Sequence, residues 1–178
     1  MQKSLAYHGE ALLLHRQMEI KGAGSMKTPE YIDDIDKWTK GFKFNIEVRI
    51  RFSETDQFGH MNNTVPFIYF EEARIEFMKQ LGLSLNKVKE PKVVPVVADL
   101  QCDFHRQLYF DDILKIFVKA EQIGNTSYDL HYLALTEEGG TALTGRGRIV
   151  QVDSSTGKPV PLGDEFKHKL ESESTACF

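Results

Sequence analysis

Phe42-Lys43-Phe44-Asn45-Ile46-Glu47-Val48-Arg49-Ile50-Arg51-Phe52 alternates apolar and polar side chains at every step. A period of two puts Phe42, Phe44, Ile46, Val48, Ile50 and Phe52 on one face of a strand. Lys43, Asn45, Glu47, Arg49 and Arg51 take the other. A charged face suits an antiparallel sheet wetted on one side. The period then changes. Val65-Pro66-Phe67-Ile68-Tyr69-Phe70 opens a helical segment that runs from Asn63 or Thr64 to Leu81, with Gly82 as its stop. Its first half is apolar nearly all round, which predicts burial on several sides. Pro66 is compatible because it falls in the first turn. The second half is amphipathic, with Phe77, Met78 and Leu81 set against Glu76, Lys79 and Gln80.

Beyond Lys92 four more strands are expected, over 93–104, 112–123, 127–136 and 141–152. Pro95 marks the first of them as an edge or a bulge. Gly124-Asn125 and Glu138-Gly139-Gly140 are hairpin turns, so the last three strands form a meander. The order is strand, buried helix, then four strands with short connections. One helix packed by one antiparallel sheet satisfies that order, an α+β architecture. A parallel sheet needs more helices than the chain offers after residue 90.

Residues 1–40 stand apart as an extension. Ala6 to Ile20 can form a short amphipathic helix, and Gly22-Ala23-Gly24-Ser25 reads as a linker. Met26 follows at once, so either translation starts at Met26 or residues 1–25 are an accessory helix. Thr28-Pro29-Glu30 has the form of an N-cap, a first-position proline and an acid, which predicts a helix from there to about Lys40, ended by Gly41. The main domain is expected over 41–163, followed by a charged tail over 164–178 that is frayed or a short helix.

Composition narrows the function. A length of 178 residues fits one domain with an extension, and twelve Phe are enough for a packed core. A net charge of −4 gives no bulk attraction to nucleic acid or to an anionic membrane. Cys102 and Cys177 are far apart and outside any CxxC, which argues against a zinc site or disulfide framework and fits a reduced cytoplasmic compartment. No apolar run approaches the ~18 residues of a membrane span. Phosphate-loop, dinucleotide, GxSxG and HExxH motifs are all missing from the sequence.

The segment Arg51-Phe52-Ser53-Glu54-Thr55-Asp56-Gln57-Phe58-Gly59-His60-Met61-Asn62-Asn63-Thr64 joins the first strand to the helix. It places a carboxylate, Asp56, close to a helix start, where unpaired N–H groups and partial positive charge gather. Such donors stabilise the oxyanion of a tetrahedral intermediate at a thioester carbonyl. Asp56 can then attack directly or deprotonate a water. Aspartates also occur in such turns as plain caps, and the spacing leaves both roles open. His60 can orient a water, the carbonyl or Asp56, or be an ordinary loop histidine. Asn62, Asn63 and Thr64 are all good N-cap residues, and capping accounts for one of the three. Glu71 is placed to pair with Arg74, and Glu72 is a second-choice base. Phe67, Tyr69, Phe70 and Phe77 can line an acyl or aryl pocket or form ordinary core. Arg106, Arg146 and Arg148 can meet phosphates or cover a solvated sheet face. Gly145 and Gly147 share the opposite face from the last two, where they permit close backbone approach.

The block from Val48 to Leu83 resembles the acyl-CoA thioesterases of the 4-hydroxybenzoyl-CoA thioesterase-like hotdog family. The matching residues are Arg51, Glu54-Thr55-Asp56, Gly59-His60-Met61-Asn62-Asn63 and Phe70-Glu71-Glu72-Ala73-Arg74. The later strands fit as well, through Phe104-His105-Arg106, Asp111-Asp112-Ile113-Leu114 and the run Gly145 to Asp153. The resemblance implies a hotdog fold, a long central helix wrapped by a five- or six-stranded antiparallel sheet. It implies acyl-CoA hydrolysis with no cofactor or metal, coenzyme A being part of the substrate. It also implies homodimers or homotetramers with active sites at the dimer interface, and no nucleic-acid or membrane partner. The family's catalytic carboxylate falls on Asp56 and its carbonyl-polarising N–H at about Asn63, with His60 or Asn62 assisting. Thr64, Phe67, Tyr69, Phe70 and Glu72 fall in the substrate-binding region, and Arg106, Arg146 and Arg148 are the cations offered to the CoA phosphates. Val65-Pro66 departs from the usual helix entry, and the first 40 residues have no counterpart in the family core, so they are expected to cover a sheet edge or cap the pocket. A hydratase or dehydratase on acyl thioesters is a rival within the same fold, although the Asn-Pro usual between acid and histidine is missing. A non-catalytic acyl-CoA or acyl-carrier binding module is another.

Overall fold

A computed structural model describes residues 28–83 and 92–174. The elements in chain order are α1 (Ile35–Lys40), β1 (Phe44–Arg49), a 3-10 turn (Phe52–Glu54), α2 (Val65–Gln80), β2 (Val93–Phe104), β3 (Ile113–Glu121), β4 (Ser127–Thr136), β5 (Thr141–Asp153) and α3 (Asp164–Ser174). The five strands form one antiparallel sheet in the order β1-β3-β4-β5-β2. The expected meander is β3-β4-β5, closed at Gly124, whose N–H donates to Ser127 O, and at Gly139, which takes φ +80°. Both of Pro95's expected consequences are present. β2 lies at an edge of the sheet, and its register with β5 slips between Val97 and Asp99.

One face of the sheet packs on α2. Phe44, Leu114, Ile116, Val118, Leu130, Tyr132, Leu143 and Ile149 enclose Val65, Tyr69, Phe70, Ala73 and Phe77 of the helix. Phe70 is fully buried and stacks on Tyr132 with ring centres 4.4 Å apart and an interplanar angle of 12°. The glycine at 145 makes this contact possible: a Cβ there would lie 2.5 Å from the Phe70 ring and 2.8 Å from Gln101 O. The all-round burial expected of the first half of α2 holds for Val65, Pro66, Tyr69 and Phe70 but not for Ile68, which is half exposed. The helix begins at Val65 rather than at residue 63 or 64. Leu170 of α3 is fully buried in the same core, so the charged tail supplies a packed helix.

The first strand is shorter than its alternation suggests. Ile50 is anchored by backbone bonds with Asp111 and Asp112, and the chain then turns into the 3-10 segment, leaving Phe52 exposed. Phe42 precedes the strand and packs on the opposite side of the sheet from Phe44. There it joins Ile32, Trp38, Phe117, Leu133 and Leu135 in a second cluster. The outer face is therefore partly covered by residues 31–42. The helix expected from Thr28 starts later because Asp34 is the cap: its Oδ1 accepts the N–H groups of Asp36 and Lys37 at 3.0 and 3.1 Å. Thr28-Pro29-Glu30 instead enters a turn in which Ile32 N–H donates to Pro29 O. The helix and linker expected within 6–25 lie outside the described residues.

Under this cover sits a polar group of side chains. Trp38 Nε1 donates to His131 Nδ1 at 2.7 Å, and both rings are buried. The Lys119 ammonium lies 5.5 Å from the Trp38 ring centre and 5.0 Å from that of Phe42, paired with Glu121 at 2.7 Å. No helix among the described residues is long and apolar enough to cross a membrane.

Candidate active site

The loop between β1 and α2 is fastened at both ends. Thr55 bridges to Met61, and His60 bridges to Tyr109. Met61 N–H donates to Leu108 O at 2.7 Å, and Asn62 N–H donates to Glu54 O at 2.8 Å. Asp56 sits at the tip side of this closure. Its own N–H donates to His60 O at 2.8 Å, and its Oδ1 accepts the N–H groups of Phe58 at 2.8 Å and His60 at 3.2 Å. Gly59 closes the turn with φ +80°, a conformation that L side chains rarely adopt. The two sequence-level roles of Asp56 are thus divided between its oxygens. Oδ1 caps the turn, while Oδ2 accepts no hydrogen bond among the described residues.

Asn62 is the capping residue of the Asn62-Asn63-Thr64 run. Its side-chain oxygen accepts the Thr64 N–H at 3.0 Å and hydroxyl at 2.9 Å, and its carbonyl accepts the Val65 N–H at 3.0 Å. Thr64 is the formal N-cap, yet its side chain caps nothing. Pro66 carries no N–H. The Asn63 N–H has no hydrogen-bond acceptor among the described residues, and Asn63 is exposed. A free carboxylate oxygen and a free backbone donor therefore sit on the same pinned loop.

His60 does not join Asp56 through its ring. The imidazole packs edge-on against Tyr109, with ring centres 5.2 Å apart, and only its backbone serves the Asp56 turn. Tyr69 has a role that the sequence does not announce. Its hydroxyl donates to Glu54 Oε2 at 2.6 Å, and the same oxygen accepts the Arg51 N–H at 2.7 Å. Burial, followed by the adjacent Glu54 carboxylate, pushes the Tyr69 phenol well above its ordinary range. The spacing of Glu54 three residues after Arg51 was the available signal, since an acid there can reach back to the first N–H of a turn. Tyr69, Glu72, Phe52 and Phe110 line a groove of about 490 Å³ along β1.

The remaining expected residues divide. Phe67 is half-buried beside Phe70, and Phe70 itself belongs to the core rather than to a pocket wall. Glu71 pairs with Arg74 at 3.3 Å as its spacing predicts, and Glu72 is exposed. Arg146 and Arg148 lie on the sheet face opposite α2, each bound to buried Asp129 at 2.8 and 2.7 Å, with Arg146 also held by Asp99 at 2.8 Å. Two guanidinium groups facing two carboxylates leave little net charge for a phosphate. Arg106 has no carboxylate partner among the described residues, and its guanidinium lies over Gly140. No group of three or more His, Cys, Asp or Glu among the described residues is arranged to hold a metal ion.

Residues 50–170 match the family model of the thioesterase-like superfamily. The uncharacterised protein YsmA of Bacillus subtilis is 46% identical over 147 residues, covering 82% of this chain and 97% of that protein. The chloroplastic acyl-acyl carrier protein thioesterase ATL3 of Arabidopsis thaliana is 27% identical over 128 residues, covering 70% of this chain and 66% of that one. Among solved structures, a Thermus thermophilus thioesterase complexed with coenzyme A and zinc superposes with a TM-score of 0.64 at 27% identity, covering 75% of this chain and 96% of that one.

Proposed function

The chain belongs to the thioesterase-like superfamily, and from that premise we propose that it hydrolyses acyl-CoA thioesters to a carboxylic acid and coenzyme A. The observation that carries this reading is the division of labour at Asp56. Two backbone N–H groups hold one oxygen, and among the described residues the other is left free on the loop that also leaves the Asn63 N–H unpaired. The thioester carbonyl accepts from Asn63, where the partial positive charge of the α2 start favours a developing oxyanion. Asp56 Oδ2 attacks the carbonyl carbon to give an acyl-aspartyl anhydride that water then hydrolyses, or it takes a proton from a water that attacks directly; on either route the C–S bond breaks and the CoA thiolate departs. Asn62 keeps the turn closed by capping it. Of the three arginines offered to the CoA phosphates, Arg106 fits best because no carboxylate among the described residues neutralises it. The Thermus thermophilus structure with coenzyme A supports the CoA form of the substrate, and the Arabidopsis relative supports a carrier-protein thioester as the alternative. Comparing rates on matched acyl-CoA and acyl-carrier substrates separates the two.

The arrangement is that of a hotdog protomer, and we assign it a homodimer joined edge to edge through β2, in the cytoplasm. β2 is twelve residues long, pairs with β5 alone among the described residues, and exposes Val96 and Val97, which makes it a template for a second strand. Asp56→Asn tests the chemistry. An asparagine oxygen still accepts from Phe58 and His60, so folding is retained while thiol release falls by at least ~100-fold. Near-normal turnover in that variant overturns the assignment.

A further inference from the structure

We infer that the side-chain amide of Gln151 selects acyl groups that carry a hydroxyl, which it receives in a cavity at the far end of α2. The inference rests on the thioesterase reading and deepens it. The cavity measures about 580 Å³, within the ~300–1,000 Å³ range of small-molecule pockets. Met78, Val97, Tyr128, Ile149 and Phe166 form apolar wall. Gln151 stands among them because it shares a face of β5 with Leu143, Gly145, Gly147 and Ile149, the face turned to α2. Its Oε1 is buried and accepts no hydrogen bond among the described residues. An unpaired acceptor on an apolar face is costly, and a ligand hydroxyl relieves that cost. The cations at the rim do not call for an anion. Arg74 is paired with Glu71 at 3.3 Å, and Lys79 with Glu76 at 2.6 Å. The complementary occupant is therefore neutral, largely apolar, and a hydrogen-bond donor at one point.

The position of the cavity connects it to the thioester of a second copy. Met78 is fifteen residues beyond Asn63, about 22 Å along a helix. That is a long reach for an acyl group held at the Asn63 of the same chain. The α2 helix runs antiparallel to β2: Phe70 lies near Gln101, while Met78 lies with Val93 and Val97. A two-fold pairing of β2 with itself is antiparallel, so the Val93 end of one copy meets the Phe104 end of the other, beside that copy's α2 start. An acyl group leaving the second copy's Asn63 then points into this cavity.

Thiol release from the full chain tests the inference with two matched pairs: dodecanoyl-CoA against 3-hydroxydodecanoyl-CoA, and benzoyl-CoA against 4-hydroxybenzoyl-CoA. For at least one pair the hydroxylated member is expected to have a kcat/KM about tenfold above its parent. Gln151→Met, close in volume, is expected to bring that ratio to about one. Its melting temperature should be unchanged or raised, because the orphan acceptor is gone. Gln151→Leu repeats the test should the first variant not fold. Hydrolysis with no preference for a hydroxyl, or a preference that survives both substitutions, overturns the inference while leaving the thioesterase reading intact. Failure of all four thioesters to release thiol overturns the reading and the inference together.

Discussion

The Tyr69 hydroxyl donates a 2.6 Å hydrogen bond to the Glu54 carboxylate, and this bond fastens α2 to the turn that carries Asp56. Glu54 is nearly buried, and its carbonyl holds the Asn62 N–H as well. Tyr69→Phe leaves the carboxylate with the Arg51 N–H alone as a close donor, at 2.7 Å. An under-satisfied buried carboxylate costs about 1–3 kcal/mol, so denaturant unfolding should shift by that amount. The loop that carries Asp56 and Asn63 loosens at the same time. In thiol-release kinetics kcat should fall more than KM changes, since positioning rather than substrate affinity is lost.

Gly145 is a packing requirement of the helix–sheet contact. An alanine methyl there meets the Phe70 ring at 2.5 Å and the Gln101 carbonyl oxygen at 2.8 Å. Gly145→Ala should destabilise the protein by about 1–3 kcal/mol, the range for overpacked cores. Adding Phe70→Leu relieves the ring but not the backbone oxygen, so equilibrium unfolding of the double variant should show only partial recovery.

The open edge of β2 carries a prediction about assembly. Val96 is 45% exposed on a strand that, among the described residues, pairs with β5 alone. A lysine at an exposed edge opposes strand addition. Val96→Lys should shift sedimentation toward the monomer, and hydrolysis should fall with the dimer fraction, because the proposed dimer has the second copy supply the acyl pocket. A fully active monomer would refute that arrangement.

Most of the fold is legible in the sequence because it is written in periods. All five strands, the helix and both hairpin turns follow from alternation, helical spacing and glycine placement, with the largest boundary error at β1. The errors fall where a local rule meets a tertiary one. Phe42 keeps the alternation of β1 but packs on the other face, because the outer cluster around Trp38 and Phe117 offers it an aromatic site. Phe52 also keeps the alternation, yet the backbone bond from Glu54 N–H to Arg51 O at 3.0 Å has already turned the chain. At the candidate site the segment was legible and the internal roles were not. Three adjacent cap formers look equivalent in sequence, and only the fold shows that Asn62 caps while the Asn63 N–H stays free. The pairing of Arg146 and Arg148 with Asp129 crosses the β4-β5 hairpin, and Asp99 reaches Arg146 from β2, 47 residues away, which no local spacing announces.

The His131–Trp38 pair predicts how stability depends on pH. Burial is the main cause that lowers the His131 imidazole from 6.5 to about 4, with Lys119 and Arg146 acting in the same direction and Glu121 and Asp129 against it. The folded protein thus binds the proton less readily than the unfolded chain. Above about pH 6.5 both states hold the ring neutral, and His131 adds no pH dependence. As pH falls from about 6.5 toward about 4, the unfolded state gains the proton first, and stability drops by at most about 3 kcal/mol. Protonation also removes the Nδ1 lone pair that accepts from Trp38 Nε1 at 2.7 Å. His131→Gln keeps an acceptor for Trp38 but cannot titrate. Urea midpoints measured from pH 7 down to pH 4.5 should therefore fall more steeply for the natural chain than for the variant. Parallel slopes would show that His131 does not carry the acid sensitivity of the outer cluster.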